Sequence, residues 1–345
     1  MRKVTHHSVR GGESMILTII IMIVSALVIY FSCELFVNGI EWVGKDFNIS
    51  QNAVGTVLAA FGTALPECTV TLIAVIFGAN SSQKDIGVGA ALGGPLVLST
   101  LAYAIVGIAI FFYGKKRKIG DCIDIDGKKL GRDQLWFMYI FIFKLGLGFI
   151  AFRIKPWLGF LFLVAYGFYF YSEMSGDKNA TQGELDPLRF SPKKDRPTRS
   201  LILVQTIVSL IFIFIGSQLF VHNLGALSIA LGMPSQLVAL LFSPIATELP
   251  EILNAVIWVK QGKEKLALAN ISGSMMIQAT VPSALGIIFT PWIFDKYLAF
   301  SGIITFIAIF TLWITLKKSC LSAKKLTLNA IFYIIFAVGI LVLKK

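Results

Sequence analysis

Charged residues are scarce in this sequence, and histidine is scarcer still. Only 14% of the 345 residues are Asp, Glu, Lys or Arg, three are histidine, and 56% are hydrophobic. A soluble globular domain carries about 25% charged residues, so this composition excludes an ordinary soluble protein.

Several motifs of enzymes and nucleotide-driven proteins are absent as well. The apolar segments contain no HExxH motif, no paired aspartates and no Ser/His constellation, and no glycine-rich nucleotide-binding loop is present. The four cysteines follow no CxxC or Cys/His spacing, which favours free thiols. The sequence therefore predicts a protein that is not an enzyme, is not driven by ATP and holds no cofactor.

Long apolar runs fill most of the chain. Stretches of about eighteen residues or more are long enough to cross a bilayer as helices. Ten such runs lie at roughly 15–40, 51–78, 85–113, 135–152, 156–173, 200–224, 235–259, 265–290, 297–316 and 326–343. Residues 1–14 are polar and basic, and the run that follows is too long for a signal peptide. The sequence predicts an all-α integral membrane protein with ten transmembrane helices.

Positive charge is distributed unevenly between the two sides of this topology. The formal net charge is +12, from 31 Lys and Arg against 19 Asp and Glu. With ten spans, 21 of the Lys and Arg fall in the loops on one side, nine fall on the side of both termini, and Lys144 lies within a span. Because cytoplasmic loops are enriched in Lys and Arg, we expect a multi-pass cell-membrane protein with basic loops in the cytoplasm and both termini outside. The positive charge then needs no nucleic acid partner.

Two short motifs inside apolar runs are nearly identical. Residues 62–67 read GTALPE and residues 246–251 read ATELPE, so each motif places a glutamate directly after a proline. A carboxylate in the hydrocarbon region is costly and usually marks an ion or substrate pathway. Prolines that only kink helices beside protonated glutamates would explain one such motif, but they explain two matched copies poorly. Glu67 and Glu251 are therefore predicted to form an ion site.

The two motifs belong to a longer internal repeat. Thirty-three residues separate Glu34 from Glu67, and the same number separates Gln218 from Glu251. After each motif glutamate come an apolar segment, a short polar loop and a helix rich in small residues. This agreement in spacing and composition predicts that the two halves share one architecture.

The repeat divides the chain into four parts. We expect a polar extension over 1–14, a first five-helix repeat over 15–173, a solvated cytoplasmic linker over 174–199 and a second five-helix repeat over 200–345. Since five is odd, the second repeat enters the membrane from the opposite side. The two repeats are thus predicted to be inverted, with the ion site between them.

Proline leaves the carbonyl group four residues earlier without its helical hydrogen bond. Pro66 frees the carbonyl of Gly62, and Pro250 frees that of Ala246, so we expect broken helices at the site. Hard divalent cations take about six to eight oxygen ligands, including carboxylates and carbonyls. The oxygen ligands predicted from both motifs are those of Glu67, Gly62, Thr63, Glu251, Ala246 and Thr247.

These repeats resemble the alpha-repeats of the sodium/calcium exchanger (calcium/cation antiporter) superfamily. That family's pattern is GTSLPE followed by a helix with GNxxGSNxxN/D, and the resemblance covers roughly 33–110 and 217–290. It implies a secondary transporter of calcium with sodium or protons as the counter-ion. The resemblance assigns metal binding to Glu67 and Glu251, with oxygen atoms of Thr63 and Thr247 beside them.

Departures from the family pattern fall mainly in the first repeat. The motif serine is Ala64 in the first copy and Glu248 in the second. The oxygen-bearing positions of the later helix are Ala90, Gly94 and Leu98 in the first copy, and Asn270, Ser274 and Gln278 in the second. The resemblance assigns these neutral oxygens to sodium. It therefore supports a cation site, including Asn270, Ser274 and Gln278, more strongly than it supports sodium coupling.

Glu248 is an additional acidic residue, three positions before Glu251 and on a neighbouring helical face. Three interpretations are open: a third metal ligand, a proton-carrying carboxyl group, or one member of an ion pair. Lys144 is the one basic residue deep in a predicted span and is a candidate charge partner for Glu248. A lysine that snorkels to the interface through a weakly defined fourth span would explain Lys144 equally well.

Together these features predict a secondary-active cation antiporter in the lipid bilayer. It would export calcium or a related divalent cation by alternating access, in exchange for sodium or protons. The alternative is a degenerate relative that binds or senses ions, or that moves a different solute. The incomplete ligand set of the first repeat favours that alternative.

Overall fold

The computed structural model describes seven stretches of the chain: 4–46, 51–116, 122–125, 127–176, 186–192, 197–317 and 320–344. Side chains are described throughout these stretches, except at 4–14, 44, 51–63, 115–116, 122–124, 173–176, 250 and 320. Within them the chain is helical apart from one short two-stranded ribbon and the connecting turns.

The helices in chain order are α1 Val4–Asp46, α2 Gln51–Phe77, α3 Ser81–Val97, α4 Tyr103–Lys116, α5 Gly127–Phe149, α6 Lys155–Gly176, α7 Arg199–Leu231, α8 Ser235–Thr247, α9 Leu249–Lys260, α10 Glu264–Phe289, α11 Lys296–Leu316, α12 Ala323–Leu328 and α13 Ala330–Leu343. A five-residue π-helical segment, Leu98–Ala102, joins α3 to α4. The strands β1 Cys122–Asp124 and β2 Cys320–Ser322 pair antiparallel. This ribbon joins the two halves of the sequence and was not predicted.

Seven helical stretches of the described residues, two of them with a one-residue interruption, are long and apolar enough to cross a membrane. They are Met15–Val43, Ser81–Gly114, Arg199–Leu231, Ser235–Lys260, Glu264–Phe289, Lys296–Leu316 and Ala323–Leu343. Each coincides with one of the ten predicted spans. Helices α2, α5 and α6 occupy the other three predicted spans, 51–78, 135–152 and 156–173, but do not meet the same standard of length and apolarity over their described residues.

Apolar and polar side chains are arranged as expected for a protein in lipid. Large apolar side chains are exposed along the outer helices, among them Phe31 on α1 and Phe168 on α6. Charged side chains, in contrast, are found inside, where Glu67 and Lys144 are fully buried. A soluble protein rarely exposes such extensive apolar surface, so these faces are those that lipid would cover.

The helices of the two halves pack against each other in reciprocal pairs. Helix α1 packs on α7, its counterpart in the internal repeat. Helix α3 packs on α8, and α10 packs on α2. These two contacts correspond to each other, because α3 matches α10 and α2 matches α8 in the internal repeat. The same holds for α6 on α10 and α12 on α4, while α5 packs on its counterpart α11. The core therefore lies between the halves rather than within either one.

One expectation about the helices needs correction. Helix α1 begins at Val4 and so runs through most of the polar extension predicted over 1–14, which leaves that prediction as it stands. Both motif helices were expected to be broken. The second is interrupted at Glu248, between α8 and α9, but α2 continues through Pro66 as one helix of 27 residues.

Part of the predicted solvated linker is folded against α1 and α7. The side chain of Leu188 is fully buried beside Trp42 and Ile202. Asn38 on α1 accepts a hydrogen bond from the Arg189 backbone N–H at 3.0 Å and another from Gln205 Nε2 on α7 at 3.0 Å. We call residues 186–190 the linker clasp. Leu188 supplies an apolar anchor for this segment of the linker predicted over 174–199, while residues 186, 187, 189 and 190 are exposed.

Candidate ion-binding site

The interruption between α8 and α9 has a local cause in the sequence. Two prolines, Pro244 and Pro250, lie six residues apart around it. Glu248 takes φ −99° and ψ −17° and ends α8, its N–H donating to the Pro244 carbonyl at 2.9 Å. Proline is favoured in the first turn of a helix, so α9 restarts at once, with Glu251 in that turn. The positive end of the α9 dipole therefore lies beside the Glu251 carboxylate.

Glu67 is held at the same depth by α2. Its side chain is fully buried, as are those of Glu251 and, to 1% exposure, Glu248. The thiol of Cys68, next to Glu67 in sequence, is close enough to all three carboxylates to interact with them electrostatically. Three buried glutamates thus lie on α2, on α9 and at the junction between α8 and α9.

A single hydroxyl group connects two of these glutamates. Thr247 Oγ1 lies 2.7 Å from Glu67 Oε2 and 3.0 Å from Glu248 Oε1, and 3.2 Å from the Ser243 carbonyl oxygen. Gln278 Nε2 on α10 donates to the other oxygen of Glu248 at 2.7 Å. The hydroxyl carries one proton for three acceptors, so a second hydrogen bond requires that a carboxyl group supply the proton.

Gly94 provides the space that Glu248 and Gln278 occupy. A Cβ atom at Gly94 would lie 2.6 Å from Gln278 Oε1 and 3.2 Å from Glu248 Oε1. Contacts this short would require both side chains to move. The first repeat therefore lacks a side-chain oxygen at position 94 where the second repeat supplies two polar side chains across the interface.

Several buried oxygen atoms around these glutamates have no hydrogen-bond partner in the described part of the chain. Glu67 Oε1 and Gln278 Oε1 are two of them, and Ser243 Oγ, one helical turn before Thr247, is a third. Thr71 Oγ1, one turn after Glu67 on α2, is the fourth. Buried polar atoms normally have partners, so such a group of oxygens indicates room for a cation or water.

Lys144 does not form the ion pair with Glu248 that we considered from the sequence. Its ammonium group is fully buried and donates to the Ala91 carbonyl oxygen and to Ser283 Oγ, each at 3.1 Å. Pro95 cannot bond to the Ala91 carbonyl, which is why that oxygen is free to accept. Among the glutamates, Glu67 is the one whose charge acts on Lys144.

The other predicted ligands differ in how deeply they are buried. Ser274 is fully buried on α10, one turn from Gln278, and Asn270 is half-buried one turn further. Ala246 is half-buried at the end of α8. The side chain of Thr63 lies outside the described residues, as does any contact of Gly62. Within the described ranges, no group of three or more His, Cys, Asp and Glu could hold a metal ion together. Neutral oxygens would therefore have to complete a cation site.

Sequence reasoning missed three participants, Ser243, Thr71 and Ser283. Ser243 and Thr71 lie four residues from motif members on the same helical face, a spacing that could have identified them. Ser283 could not have been found in this way, because its role depends on how α5 packs against α10.

The model of the sodium/calcium exchanger protein family matches residues 17–173 and 201–343. The chain belongs to this family. It is accordingly a membrane transporter of the cation antiporter class and not an enzyme, which confirms the resemblance seen in the repeats.

Two curated relatives extend the match. A putative antiporter, CaxA of Alkalimonas amylolytica, is 26% identical over 289 residues, covering 81% of this chain and 83% of the relative. The inner membrane protein YrbG of Escherichia coli is 22% identical over 300 residues, with 83% and 84% covered. Both similarities span most of the exchanger-family chain.

Solved structures share the fold. The H⁺/Ca²⁺ exchanger CAX superposes with a TM-score of 0.72 at 18% identity, over 94% of this chain and 86% of that one. The sodium-calcium exchanger NCX_Mj gives a TM-score of 0.57 at 21% identity, over 94% and 99%. The α-helical membrane transporter fold predicted from the sequence is thereby confirmed.

Proposed function

We propose that this exchanger-family protein is a secondary-active antiporter that exports calcium, or a related divalent cation, by alternating access. The observation that carries the proposal is that Thr247 of the second half lies within hydrogen-bond distance of Glu67 from the first half and of Glu248, and that Glu67, Glu248 and Glu251 are all buried. Thr247 joins the halves by its 2.7 Å hydrogen bond to Glu67. A cation bound between these groups would touch both halves at once, as alternating access requires.

The charge of the site supports a divalent cargo. Three buried carboxylates of the site stand against one ammonium group close enough to act on Glu67, that of Lys144. When all four groups are ionised, two negative charges remain in excess, which one divalent cation would neutralise. Buried charge is costly unless it is compensated, so binding should favour a doubly charged ion.

We assign the ligands by chemical type. Calcium prefers oxygen ligands and tolerates irregular geometry, which suits a set of mixed carboxylate and neutral oxygens. Glu67 and Glu251 are the proposed metal-binding carboxylates. The supporting ligands in this proposal are Glu248, Thr63, Thr247, Ser274, Gln278, Asn270 and the backbone carbonyls of Gly62 and Ala246.

The topology in the proposal has ten transmembrane helices in two inverted five-helix repeats. Reciprocal packing supports it, since α2 on α10 and α3 on α8 are the pairs that exchange under a two-fold axis. The uneven distribution of Lys and Arg supports cytoplasmic basic loops and external termini in the cell membrane. The domain limits 15–173 and 200–345 follow from the same repeat.

Protons or sodium would be the counter-ion, and one contact favours protons. Thr247 Oγ1 has one proton and lies within hydrogen-bond distance of two carboxyl groups. Both contacts are satisfied when Glu67 or Glu248 is protonated, and the proton would leave as the divalent cation binds. The structurally similar CAX is an H⁺/Ca²⁺ exchanger, which agrees with protons as the counter-ion. The family is named for sodium/calcium exchange, which keeps sodium as the other candidate.

Purified protein in proteoliposomes with a trapped calcium indicator would test the function. We expect calcium flux under an imposed proton gradient at constant sodium. Calcium flux driven by a sodium gradient at constant pH would identify sodium coupling instead. A potassium gradient serves as the control. Glu67→Gln and Glu251→Gln should each lower the flux at least about thirtyfold, because truncating a buried charged partner costs about 2–5 kcal/mol.

Glu34→Gln is the matched control for these variants. Glu34 also lies on a membrane helix, but it is exposed and accepts a hydrogen bond from Tyr30 at 2.6 Å. The calcium flux of the Glu34→Gln variant should stay within about twofold of the wild-type flux. Intact calcium flux in either site variant would refute the proposed site, and no flux of any divalent cation in the wild type would favour the degenerate, ion-sensing alternative.

A further inference from the structure

The buried ammonium group of Lys144 is coordinated as a small cation would be. It donates to a backbone carbonyl, Ala91 O, and to a hydroxyl, Ser283 Oγ, each at 3.1 Å. Its third side faces the ring of Phe141, whose centroid lies 4.9 Å from Nζ, a favourable cation–π distance. An ammonium group has three N–H donors, and these three contacts account for all of them.

The position of this group is related to the gap in the first repeat. In the second repeat, Asn270, Ser274 and Gln278 bring neutral polar side chains to the site, whereas the corresponding positions of α3 are apolar or glycine. Lys144 reaches into that same helix, to the carbonyl that Pro95 leaves free. The ammonium group of Lys144 thus places a positive charge on the α3 side of the site, where the side-chain oxygens that could hold a free cation are missing.

The charge of Lys144 is directed at the site rather than at the lipid. Lys144 is fully buried, and its charge acts on Glu67, which is itself linked through Thr247 to Glu248. Without the ammonium group, three carboxylates would remain, and one divalent cation would leave one negative charge uncompensated. With the ammonium group present, one divalent cation is enough to neutralise the remaining two negative charges.

We propose that the ammonium group of Lys144 is a tethered monovalent cation of the transport site, which lets the carrier bind a divalent cation without a free monovalent ion beside it. This inference rests on the proposed function. It assigns a specificity-determining role to a residue of α5, outside the two repeat motifs.

Calcium self-exchange tests the inference without any driving gradient. Proteoliposomes hold equal calcium and equal pH on both sides, and exchange of radioactive calcium is followed in N-methylglucamine buffer and in buffers with equal sodium or potassium on both sides. Wild-type exchange should be the same, within about twofold, in all three buffers. A wild type that requires sodium or potassium would overturn the proposal, whatever the variants do.

Lys144→Met removes the charge and keeps most of the side-chain volume, and Lys144→Ala also opens space. In N-methylglucamine both should exchange at least about tenfold more slowly than the wild type, and sodium or potassium should restore at least about a third of the rate. Lys144→Arg, which keeps the charge, should exchange in N-methylglucamine. An equal loss of exchange rate in Lys144→Arg and Lys144→Met would overturn the proposal. It would also be overturned if sodium and potassium did not raise the exchange rates of Lys144→Met and Lys144→Ala.

Lys155→Met is the matched control. Lys155 is also buried and donates to two carbonyl oxygens, those of Ile150 and Trp292, each at 2.8 Å. Neither of these contacts involves a glutamate of the site. This variant should melt at a lower temperature without gaining a monovalent-ion requirement. Absence of self-exchange in the wild type would count against the proposed function itself, and so the two failures can be told apart.

Discussion

The single hydrogen atom that takes the place of a side chain at Gly94 determines how the extra glutamate is accommodated. Glu248 and Gln278 both reach into the space beside it, and their hydrogen bond at 2.7 Å forms there. The space that the first repeat leaves at position 94 is thus occupied by two polar side chains of the second repeat.

Gly94→Ala should therefore disturb the site. The added methyl group would displace Gln278 and Glu248, and overpacking of this kind costs about 1–3 kcal/mol. We expect the calcium concentration for half-maximal flux to rise about five- to 150-fold in the proteoliposome assay.

Gly273→Ala is the control for this substitution. Gly273 lies on α10 next to Ser274, and a Cβ atom there would meet nothing within 4 Å. Its half-maximal concentration should not change. A Gly94→Ala protein with wild-type affinity would show that Glu248 and Gln278 do not occupy their observed positions during transport.

The sequence predicted the chemistry of single residues better than their partners. Proline predicts a free carbonyl four residues earlier, and this holds for Pro95 and Ala91. The identity of the group that binds that carbonyl depends on packing between α5, α3 and α10, which no local pattern encodes. For this reason Lys144 was recognised as unusual, yet its proposed partner, Glu248, was wrong.

Among whole elements, the two motif helices differ although their motifs match. The second copy has prolines at 244 and 250 and is interrupted at Glu248, whereas α2 has Ala60 and Ala64 at the positions of Pro244 and Glu248 and continues through Pro66. One proline removes a single helical hydrogen bond, and the rest of the helix can accommodate that loss. Two prolines within a short distance end the helix.

The linker clasp is an element-level feature that composition obscured. Residues 174–199 are rich in Asp, Lys, Pro and Ser, which is typical of a solvated loop. Leu188 is the one buried side chain of this short segment, and Asn38 and Gln205 accept hydrogen bonds from the backbone N–H groups of Arg189 and Phe190. Single apolar residues in polar segments are weak signals, because their burial depends on a site elsewhere in the chain.

Asn38→Ala should release the linker clasp. The substitution leaves the Arg189 N–H without an acceptor and removes one of the two acceptors of the Gln205 amide group, which keeps the Leu35 carbonyl, a loss of about 1–3 kcal/mol. In detergent solution, trypsin should then cleave after Arg189 about five- to 150-fold faster, since cleavage follows local opening.

Asn223→Ala is the matched substitution on α7. Asn223 Nδ2 donates to the Leu219 carbonyl of its own helix, at 2.7 Å, and so takes no part in holding the linker. Its cleavage rate should equal that of the wild type. Equal cleavage of the Asn38→Ala protein would show that the clasp is held by Leu188 alone.

For the whole molecule, the α-helical membrane transporter fold was predictable, since long apolar runs and a repeated motif indicate it. The packing of α1 on α7 and of α5 on α11 is what the proposed inverted repeats would produce, because counterparts related by a two-fold axis meet near that axis. The ribbon between β1 and β2 was not predictable, since each strand has three residues and no alternating pattern long enough to detect.

The sidedness of the membrane topology is a prediction that labelling can check. In a cysteine-free background, Ser81→Cys and Lys128→Cys place thiols at two exposed positions. A membrane-impermeant maleimide should label position 81 in intact cells and position 128 only after permeabilisation. The opposite pattern would place the basic loops outside and contradict the charge argument.

The hydrogen bond from Thr247 to Glu67 has a consequence for the carrier when it holds no cargo. It closes one half of the molecule onto the other at the place where an ion would bind, and an arriving cation must open it before it can be coordinated. We expect the contact to re-form between turnovers and to close the proposed pathway. We therefore expect little uncoupled leak of ions down their gradients, so a membrane containing many copies of this protein would stay electrically tight.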